Sequence, residues 1–134
     1  MKKSITQEMP YCCGIACFAF VCNTSYKQVA DFLGLEQAKS DRFLVKHVRE
    51  ELNRFGVRYI SRHVKPDQAI EPIDGTIVLL RRSKRFPVGH YLAYYHGEWM
   101  DPYINLEDDY GFENPKSGFR KVLPGQAMYV LMPE

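Results

Sequence analysis

The sequence has no cysteine after position 22. All four thiols lie between Cys12 and Cys22, so they cannot staple distant segments together as a disulfide framework does. No C-x-x-C pair is present, and a closed four-ligand zinc site would have to recruit distant histidines. Long apolar runs are missing too. The longest candidate, CCGIACFAFVC, has eleven residues and is too short to span a bilayer. No apolar stretch follows the two lysines of MKKSITQEMP, so a cleavable secretory signal is not expected. No charge of one sign dominates: 18 Lys and Arg stand against 16 Asp and Glu, for a net +2. That balance predicts no nucleic-acid partner and no attachment to a membrane surface. Repeats, low-complexity tracts and linkers are also lacking. A reducing compartment, most simply the cytoplasm, is the expected location.

Apolar residues make up 46% of the 134 positions, enough for one core in one domain over residues 1–134. The first half has helical periodicity. GIACFAFVC (14–22) reads as an apolar helix buried on most sides. NTSYKQVADFLGL (23–35) follows, with cap candidates at Asn23, Thr24 and Ser25 and apolar spacing at Tyr26, Val29, Ala30 and Leu33. SDRFLVKHVREELNRFG (40–56) is the clearest helix, with Val48, Leu52 and Phe55 on one face and Gly56 as its stop. The second half changes period. VRYISRHV (57–64) alternates, GTIVLLRRS (75–83) begins as a central strand, and QAMYVLMP (126–133) is a closing strand. GHYLAYYHGEWMDP (89–102) predicts a hairpin turning at His96-Gly97. Residues 104–120 are polar and turn-rich, and predict a long loop. The fold class expected is α+β, with N-terminal helices packed on one face of a C-terminal antiparallel sheet.

Cys13 stands just before Gly14 at the expected start of the first helix. Free N–H groups there favour negative charge, and the thiolate is the nucleophilic form of cysteine. Gly14 leaves room for a substrate backbone to approach. Cys17 and Cys22 lie deeper in the helix and read as packing.

A thiol nucleophile needs a base, and the base needs an orienting group. His47, inside a charged helix, His63, near a strand end, and His96, at the turn, read as surface or boundary residues. His90 follows Gly89 on a strand expected to face the first helix. If Tyr95 pairs with Glu98 across a two-residue turn, Leu92 faces Asp101. His90 and Asp101 then become diagonal neighbours on one face, and a one-residue change of loop length would part them. An acyl-transfer site also needs donors for the oxyanion. The Cys13 N–H and the Gln7 side-chain amide are the candidates.

Gln7, Cys13-Gly14, Ala16-Cys17, Gly89-His90-Tyr91 and Asp101-Pro102 together resemble the C39 family of papain-like cysteine peptidases, which occur in bacteria. The resemblance spans roughly residues 5–102. Cys12 stands where that family usually carries Asp or Asn, and the His-to-Asp gap is short for it. The resemblance implies a papain-like fold, Cys13 as nucleophile, His90 as base and later acid, Asp101 as orienter and Gln7 as oxyanion donor, with Gly14 and Gly89 lining the substrate path. It implies a protein or peptide substrate, no cofactor and no metal. Family members typically cut leader peptides after a double glycine, often as part of a membrane transporter, so a transporter or secretion partner joins the expectations. The same triad serves two further roles. One is glutamine deamidation or acyl transfer by bacterial effectors and toxins, which need not carry a cleavable signal. The other is a catalytically silent binding module. The basic run RRSKR (81–85) and the acidic run LEDDYGFE (106–113) read as solvated loops.

Overall fold

The computed structural model describes residues 2–7, 13–33, 45–83, 86, 89–105 and 115–134, with the side chains of 45–47 left aside. Cys12, the acidic run, Lys84 and Arg85 of the basic run, the expected stop at Gly34 and the start of the third helix lie outside those residues, as does the side chain of His47.

Among the described residues three helices precede the sheet: α1 (Cys13–Val21), α2 (Tyr26–Leu33) and α3 (Val45–Phe55). Helix α1 is buried from Cys13 through Phe20, as an apolar sequence with no polar stripe requires. It ends where Asn23 takes a φ of 55°, and the N–H groups of Asn23 and Thr24 cap the carbonyls of Phe20 and Ala19. Ser25 then opens α2. Its hydroxyl accepts from the Gln28 N–H at 3.1 Å, while Gln28 Oε1 accepts from the Ser25 N–H at 3.4 Å. This reciprocal pair is a capping box, and it decides among the three cap candidates in favour of Ser25. Helix α3 closes at Gly56, φ 104°, where the N–H groups of Gly56 and Val57 return to the carbonyls of Asn53 and Leu52. One ring from each helix then interlocks: Phe18 lies 5.4 Å from Phe55, and Phe32 lies 5.0 Å from Phe55, both edge-on.

Six strands form one antiparallel sheet: β1 (Tyr59–His63), β2 (Ile77–Leu80), β3 (His90–Tyr95), β4 (Glu98–Asp101), β5 (Gly118–Arg120) and β6 (Ala127–Pro133). Their order is β1-β6-β2-β3-β4-β5. The closing strand therefore inserts beside the central strand β2. Strand β5 corrects the expected loop over 104–120: Gly118, Phe119 and Arg120 pair with Asp101, Met100 and Trp99. Three residues in a polar stretch carry too short an alternation to announce a strand.

Each face of the sheet is apolar. Ile77, Tyr91, Ala93, Met100 and Leu131 pack with the helices. Val78, Leu80, Leu92, Trp99 and Val130 pack on the other face, covered by Val64, Phe86 and other side chains of the connections. Among the described residues no helix is long and apolar enough to cross a membrane.

Candidate functional site

The β3–β4 hairpin has the register that its turn chemistry predicts. Tyr95 pairs with Glu98, Tyr94 with Trp99 and Ala93 with Met100. The two turn residues, His96 and Gly97, have φ values of 48° and 83°, the left-handed pair of a type I′ turn. Parity then carries His90 and Asp101 to one face at the open end of the hairpin. His90 Nε2 lies 2.6 Å from Asp101 Oδ1, and both side chains are buried.

The strand packs on α1, but the His90 side chain takes its other face. Tyr91 and Ala93 point to the helices, so His90 alternates to the side of Leu92, away from α1. The thiol meets the histidine at the end of the strand instead. Cys13, the first residue of α1, reaches the start of β3, where the Tyr91 N–H donates to its Sγ at 3.3 Å. The Cys13 thiol also acts electrostatically on the His90 imidazole. Since Nε2 is engaged by Asp101, Nδ1 is the ring nitrogen left for the thiol.

Asp101 has more partners than the sequence suggested. Tyr103 N–H donates to Oδ1 at 2.9 Å, and Arg120 Nε donates to Oδ2 at 2.7 Å. Arg120 is placed by β5: Asp101 pairs with Gly118, so the residue two further on is its diagonal neighbour. The carboxylate thus has a cation on either side, His90 from β3 and Arg120 from β5. Phe86 is the second residue that sequence reasoning missed. Its ring lies flat on the His90 imidazole, 4.5 Å between centroids and 2° between planes. Phe86 is held by reciprocal bonds with Ser83 and by the Gly89 N–H on its carbonyl. The signal for both residues was weak. Arg120 required knowledge of β5, and Phe86 required the path of the 81–89 connection.

These contacts set the protonation states. Burial alone would push His90 toward the neutral form. Its hydrogen bond to Asp101 and its interaction with the Cys13 thiol, together with their charges, outweigh that and lift the imidazole to about 9. Burial pushes Asp101 up, but bonds from His90, Arg120 and the Tyr103 N–H hold it at about 2. The pair is therefore imidazolium and carboxylate at neutral pH. Cys17 is fully buried; burial first, and then the charges of Cys13 and Asp101, raise its thiol well above the ordinary range. Burial lifts Cys22 to about 11. Neither has the environment of a reactive thiol.

Gln7 reaches the same end of the sheet. Its N–H donates to the Pro102 carbonyl at 3.2 Å, beside Asp101, and it is only 5% exposed. The segment ahead of it is pinned by Thr6 and Ser4, whose hydroxyls bond Ser117 next to β5. Gly14 is buried inside α1. Gly89 has a backbone reason to be glycine: φ is 85°, and a Cβ would sit 3.0 Å from the Leu80 carbonyl oxygen and from Leu79 Cδ1. His96, by contrast, is exposed and pairs with Asp74 at 3.2 Å, and His63 packs edge-on against Tyr129. Arg81, first of the basic run, is half-buried and donates to the Val64 carbonyl. Among the described residues no group of three or more His, Cys, Asp or Glu side chains could hold a metal ion.

Compared with known proteins, the chain matches no family model, no curated protein and no solved structure. The functional reading therefore rests on the geometry.

Proposed function

We propose that this chain is a cysteine hydrolase of papain-like architecture, resembling the C39 peptidases, that acts on a peptide bond of a protein or peptide substrate. One observation carries the reading: Cys13 at a helix N-terminus, His90 and Asp101 come together from three separate elements, with His90 bonded to Asp101 and the Cys13 thiol bonded to the next N–H of the same strand, Tyr91. Buried polar groups require partners, but a thiol–imidazole–carboxylate series ordered in that sense is also what nucleophilic catalysis requires.

In this mechanism His90 holds the Cys13 proton, and the thiolate attacks the substrate carbonyl carbon. The carbonyl electrons move to oxygen, where the Cys13 N–H and the Gln7 amide are the donors proposed to meet the charge. The oxyanion collapses, the C–N bond breaks, and the His90 imidazolium gives its proton to the leaving amine. Water, deprotonated by the now neutral His90, attacks the thioester. The products are a carboxylic acid and the regenerated thiol. Asp101 keeps the ring oriented throughout, and Phe86 shields one face of it. Cys13 is 7% exposed and His90 3%, so a substrate would have to be slim where it is cut.

The test is alkylation by iodoacetamide at neutral pH, read residue by residue by mass spectrometry. Cys13 should react at least tenfold faster than Cys12, Cys17 or Cys22, and His90→Ala should remove the advantage. Equal rates at Cys13 and Cys12, or an unchanged rate in His90→Ala, would sink the reading. The low exposure of Cys13 is the observation that favours the rival binding module, and that outcome would support it. With candidate protein substrates, a backbone break marks hydrolysis, and a one-dalton gain marks deamidation by the same triad.

A further inference from the structure

We infer that Arg120 moderates His90 through Asp101, drawing the carboxylate's charge toward Oδ2 so that the imidazole stays able to release its proton as well as hold it. The inference rests on the hydrolase reading, because the proton balance of His90 matters to function only if His90 exchanges protons during turnover.

The geometry is that of a shared carboxylate. Asp101 is fully buried, so neither oxygen is satisfied by bulk water. Oδ1 takes His90 at 2.6 Å and the Tyr103 N–H at 2.9 Å; Oδ2 takes Arg120 Nε at 2.7 Å. A second guanidinium nitrogen, Nη2, donates to the Ile104 carbonyl at 3.1 Å, so the cation is tied at two points and cannot easily swing away. Nε and Nη2 thus engage two different acceptors, the carboxylate and the adjoining turn. Arginine stays charged at any working pH, which makes its effect constant. Besides these, Cys13 from α1 acts on His90, and Cys17 from α1 feels the charge of Asp101.

Two requirements pull against each other here. A buried imidazole facing an unshared carboxylate is held strongly protonated, and then it is a poor base for the water that must cleave the thioester. A carboxylate already paired with a guanidinium still orients the ring but attracts its proton less. Arg120 is a positioning and charge-sharing residue in this scheme; it touches Asp101 and not the reacting atoms.

Arg120→Gln keeps a donor near Oδ2 and deletes the charge, while Arg120→Lys keeps the charge. The readout is the His90 imidazole titration by nitrogen–proton NMR on the whole chain, with the signal assigned by its loss in His90→Ala. In Arg120→Gln the titration should move up by about one pH unit, and in Arg120→Lys it should stay within about 0.3 unit of wild type. A merely structural arginine would alter thermal stability in both variants without that split. An unmoved or lowered titration in Arg120→Gln, or an equal rise in both variants, overturns the inference. If Arg120→Gln does not fold, Arg120→Met removes the charge on a side chain of similar length and is read in the same way. Alkylation of Cys13 in wild type is scored separately. A sluggish Cys13 with a raised His90 titration defeats the hydrolase and keeps the coupling; a fast Cys13 with an unmoved titration does the reverse.

Discussion

Strand β3 ends in a histidine–aspartate pair, and a second such pair lies just past its other end at the hairpin turn. At the start of the strand His90 meets Asp101 at 2.6 Å, both buried. Past the turn His96 meets Asp74 at 3.2 Å, with 69% and 49% of the side chains exposed. The residue types are the same. At the exposed pair, water solvates both groups in the folded and unfolded chain, so little free energy depends on the contact. At the buried pair, each group has lost water and depends on the other, on Arg120 and on the Tyr103 N–H. Burial, not residue identity, turns one pair into a candidate site and leaves the other a surface contact.

The largest break in that comparison is expected from Asp101→Ala. It leaves Arg120 and the His90 imidazole without their carboxylate partner, at a cost of about 3–5 kcal/mol in urea unfolding. Asp74→Ala at the exposed pair should cost about 1 kcal/mol or less. A loss at Asp101 no larger than at Asp74 would show that the buried pair is not integral to the fold.

The two ends also differ in their glycines. Gly89 and Gly97 both have positive φ, but a Cβ at Gly97 would meet nothing within 4 Å, whereas at Gly89 it would press on the Leu80 carbonyl. Gly97→Ala should cost about 1 kcal/mol from the backbone conformation alone, and Gly89→Ala about 2–3 kcal/mol. Equal losses would remove the steric argument and restore a substrate contact as the reason for Gly89.

The two pairs also differ in pH dependence. His90 is lifted from 6.5 to about 9, so its stabilising contribution is complete below pH 6.5 and is lost as pH rises through 9. Asp101 is lowered from 3.8 to about 2, so its contribution is complete above pH 3.8 and is lost as pH falls through 2. Stability should therefore decline between pH 6.5 and 9 in wild type and in Asp74→Ala, and that decline should largely vanish in His90→Ala. Cleavage, which needs the imidazolium to protonate the amine, should fall as pH rises through about 9, while alkylation of Cys13 should not. Parallel loss of both would point to unfolding.

Much of this was legible along the chain because its causes are local. Ser25 and Gln28 cap one another three residues apart, and Gly56 ends α3 at a left-handed backbone position. The His96-Gly97 turn dictates the register of the hairpin, and register dictates that His90 and Asp101 share a face. Three of the proposed site residues could be named from those rules and from the helix-start position of Cys13. The face of His90 could not, because strand parity says which residues are together and not which side carries the helices.

What only the tertiary structure decided involves long separations in sequence. The thiol of Cys13 accepts from an N–H 78 residues away, and Thr6 meets Ser117 at a separation of 111. Arg120 reaches Asp101 because β5, three residues with little pattern of their own, adds to the edge of β4. Phe86 lies flat on His90 because the connection into β3 folds back on itself. Local chemistry can specify caps, turns and parity, since the groups involved are covalently close. Which buried carboxylate acquires which second cation depends on how the chain closes on itself, and no short stretch of the sequence contains that information.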